Sequence, residues 1–161
     1  MFLPLYLMNL ELTLTPPQQE ATDTLLSRLA VSPVCVLSGA PGSGRTAVLH
    51  AVKAVRGGVF LGTQQFRGAR LVQGPAAIEE AFFRMIEEAV ERHALVLIDD
   101  LDRIMDAASE GGPGRLHLLD AGFTAILAEA RTLGRTLVFV AGGEIPLPLR
   151  RRAEVVTLAA A

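Results

Sequence analysis

Apolar and polar positions change period several times along the 161 residues, and each change marks the edge of an element. Ala21, Leu25 and Leu29 recur at four-residue spacing, one stripe of a helix. The start of that helix is written upstream, where Thr15 can cap, Pro16 suits a first turn and Gln18 can complete a capping box. After Pro33 the helical period stops. Val34 to Ser38 is a short apolar run ending at Gly39, the pattern of a buried strand. A helix over Thr46 to Val55 follows, closed by Gly57 and Gly58, and Val59 to Gly62 reads as a second strand.

Between about Ala76 and Arg92 the residues Ile78, Ala81, Phe82, Met85, Ile86, Ala89 and Val90 return to a helical period. Glu79, Glu80, Glu87, Glu88 and Glu91 are expected on the wet face of this helix. Leu95 to Ile98 is apolar throughout, as expected of a strand covered on both sides. Gly111 to Gly114 then breaks the chain. Leu119, Phe123, Ile126, Leu127 and Ala130 form a further helical stripe, followed by strands over Leu137 to Ala141 and Val155 to Leu158. The glycine stretch and the arginine-rich connection near Leu149 are the segments expected to move most. Strands alternating with helices, three of them nearly all apolar, predict an α/β domain whose mainly parallel sheet is flanked by helices in three layers.

Composition narrows the class without changing this outline. Half the residues are apolar and a fifth charged, which suits a packed globular chain, and the length suits one core. A formal net charge of -2 gives no electrostatic reason to expect direct nucleic-acid binding. Lys53 is the only lysine, so the arginine clusters call for local explanations. Cys35, the only cysteine, excludes an intrachain disulfide and reads as a small buried hydrophobe. Met1 to Met8 is apolar but lacks a basic flank and is too short to cross a bilayer. The expected organisation is an apolar extension or strand over 1–14 and one α/β domain over 15–161, in a cytoplasmic or other reducing intracellular compartment.

Candidate chemistry concentrates after the first strand. Gly39-Ala40-Pro41-Gly42-Ser43-Gly44-Arg45-Thr46 has the glycine spacing, terminal hydroxyl and strand-to-helix setting of a phosphate loop, with Arg45 in place of the usual lysine. Small residues let backbone amides approach phosphate oxygens, and the following helix offers unpaired N–H groups and the positive end of its dipole. Gly39, Pro41, Gly42, Ser43, Gly44, Arg45 and Thr46 are therefore the candidate ATP- or ADP-binding residues, with Thr46 placed to contact Mg2+. Arg45 keeps the charge, but a planar guanidinium does not substitute directly for a compact ammonium between phosphates. Leu95 to Asp100 is an apolar strand ending in two acids, at the sheet end where open α/β folds bind ligands. Asp99 is the better Mg2+ candidate, and Asp100 is placed to orient water, with a shorter reach than glutamate. The alternative reading of these acids is a strand exit or helix cap, because Asp99, Asp100 and Asp102 open a turn.

These two motifs, in this order, resemble the large α/β subdomain of an AAA-type ATPase. Gly39 to Thr46 is similar to the family's first nucleotide motif, which usually ends in Lys-Thr, and Leu97-Ile98-Asp99-Asp100 to its second, which usually ends in Asp-Glu. Arg70-Leu71-Val72-Gln73-Gly74 resembles the pore loop, with Leu71 where an aromatic residue commonly grips threaded polypeptide. Val138 to Gly143 resembles the fourth strand and its sensor, with Gly143 where the family usually has asparagine. Arg150, Arg151 and Arg152 lie where family members supply an arginine finger to a neighbour; the competing reading is a solvated basic turn.

The resemblance implies nucleotide-dependent remodelling in rings or larger complexes of AAA-type subunits, and a domain without the C-terminal helical lid. Arg45 for lysine, Asp100 for glutamate, Gly143 for asparagine and the lid all weigh against hydrolysis, which needs phosphate clamping, metal placement and water activation together. The leading expectation is a degenerate nucleotide-binding domain working through protein association, with weak or absent ATP hydrolysis. One alternative is an active Mg2+-dependent ATPase completed by a partner chain, with Asp100 and an arginine among 150–152 as its catalytic groups. Another is a small-molecule kinase using the same loop, for which no acceptor pocket is legible.

Overall fold

The computed structural model describes residues 13–62, 77–99, 101–110 and 112–159. The elements, in chain order, are α1 (Pro16–Leu29), β1 (Val34–Ser38), α2 (Arg45–Arg56), β2 (Val59–Leu61), α3 (Ala77–Arg92), β3 (Leu95–Ile98), α4 (Leu101–Glu110), α5 (Pro113–Leu133), β4 (Thr136–Ala141), α6 (Leu147–Arg152) and β5 (Glu154–Thr157). The strands form one five-stranded sheet in the order β2-β3-β4-β1-β5, with every pairing parallel.

Alternation along each strand divides the interior into two layers. Val34, Val36, Val96, Ile98, Leu137 and Phe139 face α3, α4, α5 and α6. Cys35, Leu37, Leu95, Leu97, Val138 and Val140 face α1 and α2. Strands buried on both faces have no wet side, which is why their sequences run apolar without a break. The expected three-layer α/β architecture is what forms.

This topology also decides where a ligand can enter. β1 and β4 lie side by side, with Ser38 opposite Ala141. The chain leaves β1 toward α2 on one face and leaves β4 toward α6 on the other. The diverging connections open a crevice beyond the carboxyl ends of these two strands. Gly39 continues the pairing into that crevice by donating its N–H to the Ala141 carbonyl at 3.1 Å.

Local signals explain most boundaries. Thr15 and Gln18 form the expected reciprocal capping box at the head of α1. Ala21, Leu25 and Leu29 are all buried. Three other expectations are corrected and one element is added. Glu79 does not lie on the wet face of α3: it is buried and pairs with Arg115 of α5, whereas Glu80, Glu87, Glu88 and Glu91 are exposed. A buried carboxylate is tolerable only with such a partner. After β3 comes a helix that the sequence reading does not place, α4, which buries Leu101, Ile104 and Ala108 and carries Asp102 in its first turn, in line with the helix-end alternative for that acid. Gly114 is not a break, because α5 already begins at Pro113. The arginine-rich connection is the short helix α6, anchored by fully buried Leu149 and started after Pro146.

No helix among the described residues is long and apolar enough to cross a membrane.

Candidate functional site

The loop from Gly39 to Gly44 joins β1 to α2 and takes the shape its glycines permit. Gly42 and Gly44 both have positive φ, 84° and 90°. At Gly44 a side chain would meet a second obstacle, since an added Cβ would lie 2.0 Å from Gln18 Nε2. That amide donates to the Ser43 carbonyl at 3.2 Å, so the residue that caps α1 also braces the loop. Within the loop, the Ser43 hydroxyl donates to the Ala40 carbonyl at 2.6 Å. With glycine at its N-cap, α2 has no side-chain cap. Its first-turn N–H groups and dipole are therefore presented at the loop, the requirement for holding phosphate.

Two acidic residues approach this loop from the sheet. Asp99 follows β3, and its N–H donates to the Leu61 carbonyl of β2 at 2.9 Å. The exposed Thr46 hydroxyl donates to Asp99 Oδ2 at 2.8 Å. The two candidate Mg2+ residues, 53 positions apart in sequence, are thus adjacent. Both offer hard oxygen, and the hydroxyl keeps its lone pairs for a cation while its proton points at the carboxylate. Mg2+ commonly takes one or two protein oxygens and completes its octahedron with water and substrate phosphates, so this donor pair fits it. No group of three or more His, Cys, Asp or Glu capable of holding a metal occurs among the described residues. A nucleotide's phosphates would have to supply much of the coordination.

The second acid is Asp102, which sequence reasoning noted only as a strand-exit or helix-cap residue. It occupies the first turn of α4. Arg45 Nη1 donates to Asp102 Oδ2 at 3.0 Å and reaches the Gly39 carbonyl at 3.3 Å. The Gly142 N–H lies 2.9 Å from both oxygens of Asp102, and the Gly143 N–H lies 3.3 Å from Oδ1. The Arg45 side chain is only 12% exposed. Its guanidinium thus lies against the loop backbone and Asp102. Charged hydrogen bonds of this kind contribute about 1.5–3 kcal/mol, toward the lower end where a partner such as Asp102 keeps contact with water.

Gly142 permits this meeting: an added Cβ would lie 2.5 Å from Arg45 Nη1 and 2.8 Å from Asp102 Oδ2. The segment after β4 therefore contributes backbone donors to Asp102. The spacing of Leu101, Ile104 and Ala108 was the available signal for α4, and it would have placed Asp102 at a helix head beside the loop.

Other site expectations divide. Gly39, Pro41, Gly42, Ser43, Gly44, Arg45, Thr46 and Asp99 fall in one crevice. Asp100 and the pore-loop stretch Arg70 to Gly74 lie outside the described residues. Arg150, Arg151 and Arg152 are exposed on α6 and are not brought to this chain's own loop. Arg152 instead lines a cleft of about 300 Å³ with Pro33 and Val34, at the opposite end of β1.

A parallel sheet with a glycine loop between β1 and α2, and a Thr–Asp oxygen pair beyond its strand ends, defines a phosphate-loop α/β domain. The sequence pattern of the ATPase family associated with various cellular activities (AAA) matches residues 35–157, and the chain belongs to that family. No curated protein sequence matches it. Among solved structures, it is similar to a DNA replication initiation factor, with 14% identity and a TM-score of 0.59 over 91% of this chain and 47% of that one. It is also similar to domain III of the Thermotoga maritima replication initiation protein DnaA, with 14% identity and a TM-score of 0.60 over 91% of this chain and 64% of that one. The chain thus spans about half of the first structure and under two thirds of the second. At this identity the likeness is one of fold.

Proposed function

We propose that this chain is a nucleotide-binding AAA domain that binds ATP or ADP with Mg2+ at the loop and acts through protein association, with weak or absent hydrolysis. The observation that carries the reading is the split state of the site. The Thr46–Asp99 pair is assembled at the head of an uncapped helix, while Arg45 is engaged by Asp102 and Gly143 offers no side chain toward an attacking water. Binding needs the first arrangement. Hydrolysis needs, in addition, a group that stabilises charge developing on the γ-phosphate and one that orients water.

Calorimetry with ATP and ADP, with and without Mg2+, tests this reading. Expected is a Kd below about 10 μM, equivalent to more than about 7 kcal/mol of binding free energy. In the presence of Mg2+ the affinity should fall at least about thirtyfold in Thr46→Ala, and turnover by the wild-type chain should lie at or near background. Absence of binding at millimolar nucleotide overturns the binding claim, and Mg2+-dependent turnover by the isolated chain overturns the impaired-hydrolysis claim.

A second reading is favoured by one feature. Three consecutive arginines are exposed on α6, and none forms an ion pair among the described residues. Such residues are available to another subunit's nucleotide, which supports an active ATPase completed by partner chains. Turnover that appears only in the full assembly and disappears in Asp99→Ala would establish it. Two of the proteins whose fold it resembles are replication initiation proteins, so proteins of such assemblies are the first candidates for capture.

A further inference from the structure

Asp102 lies outside the motifs from which a phosphate site is read, yet its carboxylate holds the loop's only cationic side chain. We propose that Asp102 is an intramolecular competitor for Arg45, occupying the guanidinium that a nucleotide phosphate would otherwise take. This inference rests on the nucleotide-site reading above.

Carboxylate and phosphate oxygens present the same charge and acceptor geometry to a guanidinium, so one can displace the other. In this structure Arg45 Nη1 is shared between Asp102 and the Gly39 carbonyl, with the side chain largely covered. Asp102 is also held independently of Arg45, by the N–H groups of Gly142 and Gly143. Loss of Arg45 to a phosphate therefore leaves the carboxylate hydrogen-bonded in place, and the exchange costs one ion pair without orphaning its partner. The same carboxylate ties α4 to the segment between β4 and α6.

The test is calorimetry with Mg-ADP on the wild type, Asp102→Asn, Arg45→Ala and the double variant, each checked for a cooperative thermal melt. Asparagine removes the charge while keeping an oxygen for the Gly142 N–H. Asp102→Asn should tighten Mg-ADP about tenfold, the change expected from about 1.4 kcal/mol. In the Arg45→Ala background the same substitution should change affinity less than twofold. Unchanged or weaker binding by Asp102→Asn overturns the proposal. So does tightening that persists without Arg45, which would report general repulsion between Asp102 and phosphate.

If Asp102→Asn does not fold, Gly142→Ala forces the pair apart with both charges retained. It should tighten binding in the same direction, and weaker binding by it overturns the proposal. Binding by no variant overturns the nucleotide-site reading and this role of Asp102 with it. Equal binding by all variants overturns the competition alone.

Discussion

The two sides of the crevice beyond β1 and β4 are built to different ends. On one side the Thr46 hydroxyl donates to Asp99, with the threonine exposed to solvent. On the other, Arg45, Gly39, Asp102, Gly142 and Gly143 satisfy one another through five contacts of 2.9 to 3.3 Å. Both sides use one charged or hydroxyl group from the first turn of α2 and one aspartate that follows β3. The difference is that the first side presents oxygen outward, whereas the second consumes its charge internally. Identical motif positions can therefore serve a ligand or the fold, according to what the neighbouring strand end supplies.

The largest effect should come from removing the outward-facing side. Thr46→Ala is expected to lower Mg-ADP affinity at least about thirtyfold, or about 2 kcal/mol. It should have little effect on ADP without Mg2+, measured by calorimetry. An equal loss with and without the metal would show that Thr46 braces the loop instead of serving the cation.

Gly142→Ala sharpens the other side. Its Cβ would overlap Arg45 Nη1 and Asp102 Oδ2, so urea unfolding should show a loss of about 1–3 kcal/mol, the usual range for overpacking. No loss would mean that the Arg45–Asp102 contact yields without cost.

Gln18→Ala removes the side-chain half of the α1 capping box and the bond to the Ser43 carbonyl, while the backbone N–H of residue 18 still donates to Thr15. A smaller loss of about 1 kcal/mol is expected in the same unfolding measurement. Nucleotide affinity should fall only as far as the loop loosens.

Cys35, near the start of β1 and remote from the loop, should respond least. Burial is the main cause that pushes its thiol up to about 11 from 9.0, with Glu154 adding and Arg28 opposing. Because the folded value is raised, the thiol stays protonated below pH 9, and its contribution to stability is lost as pH rises through about 11. Alkylation at pH 8 should be slow in the native chain and fast only after unfolding. Fast native labelling would show that β1 is not shielded.

What the sequence determined by itself was local or periodic. The buried strands announced themselves as apolar runs because both of their faces are covered, and the helix stripes at Ala21, Leu25 and Leu29 and at Leu119, Phe123 and Leu127 follow from a fixed helical period. The phosphate loop was legible because its glycines answer a backbone requirement confined to eight consecutive residues. Tertiary structure decided everything that depends on which strand lies beside which. Glu79 looked like a surface residue until α5 brought Arg115 against it. Arg45 looked like a phosphate ligand, and only the adjacency of β1 and β4 places Gly142 and Gly143 where they hold Asp102 beneath it. Charge can be read one residue at a time, but its partner is chosen by the fold, because an ion pair forms between groups separated by 57 positions only after the sheet has set their distance.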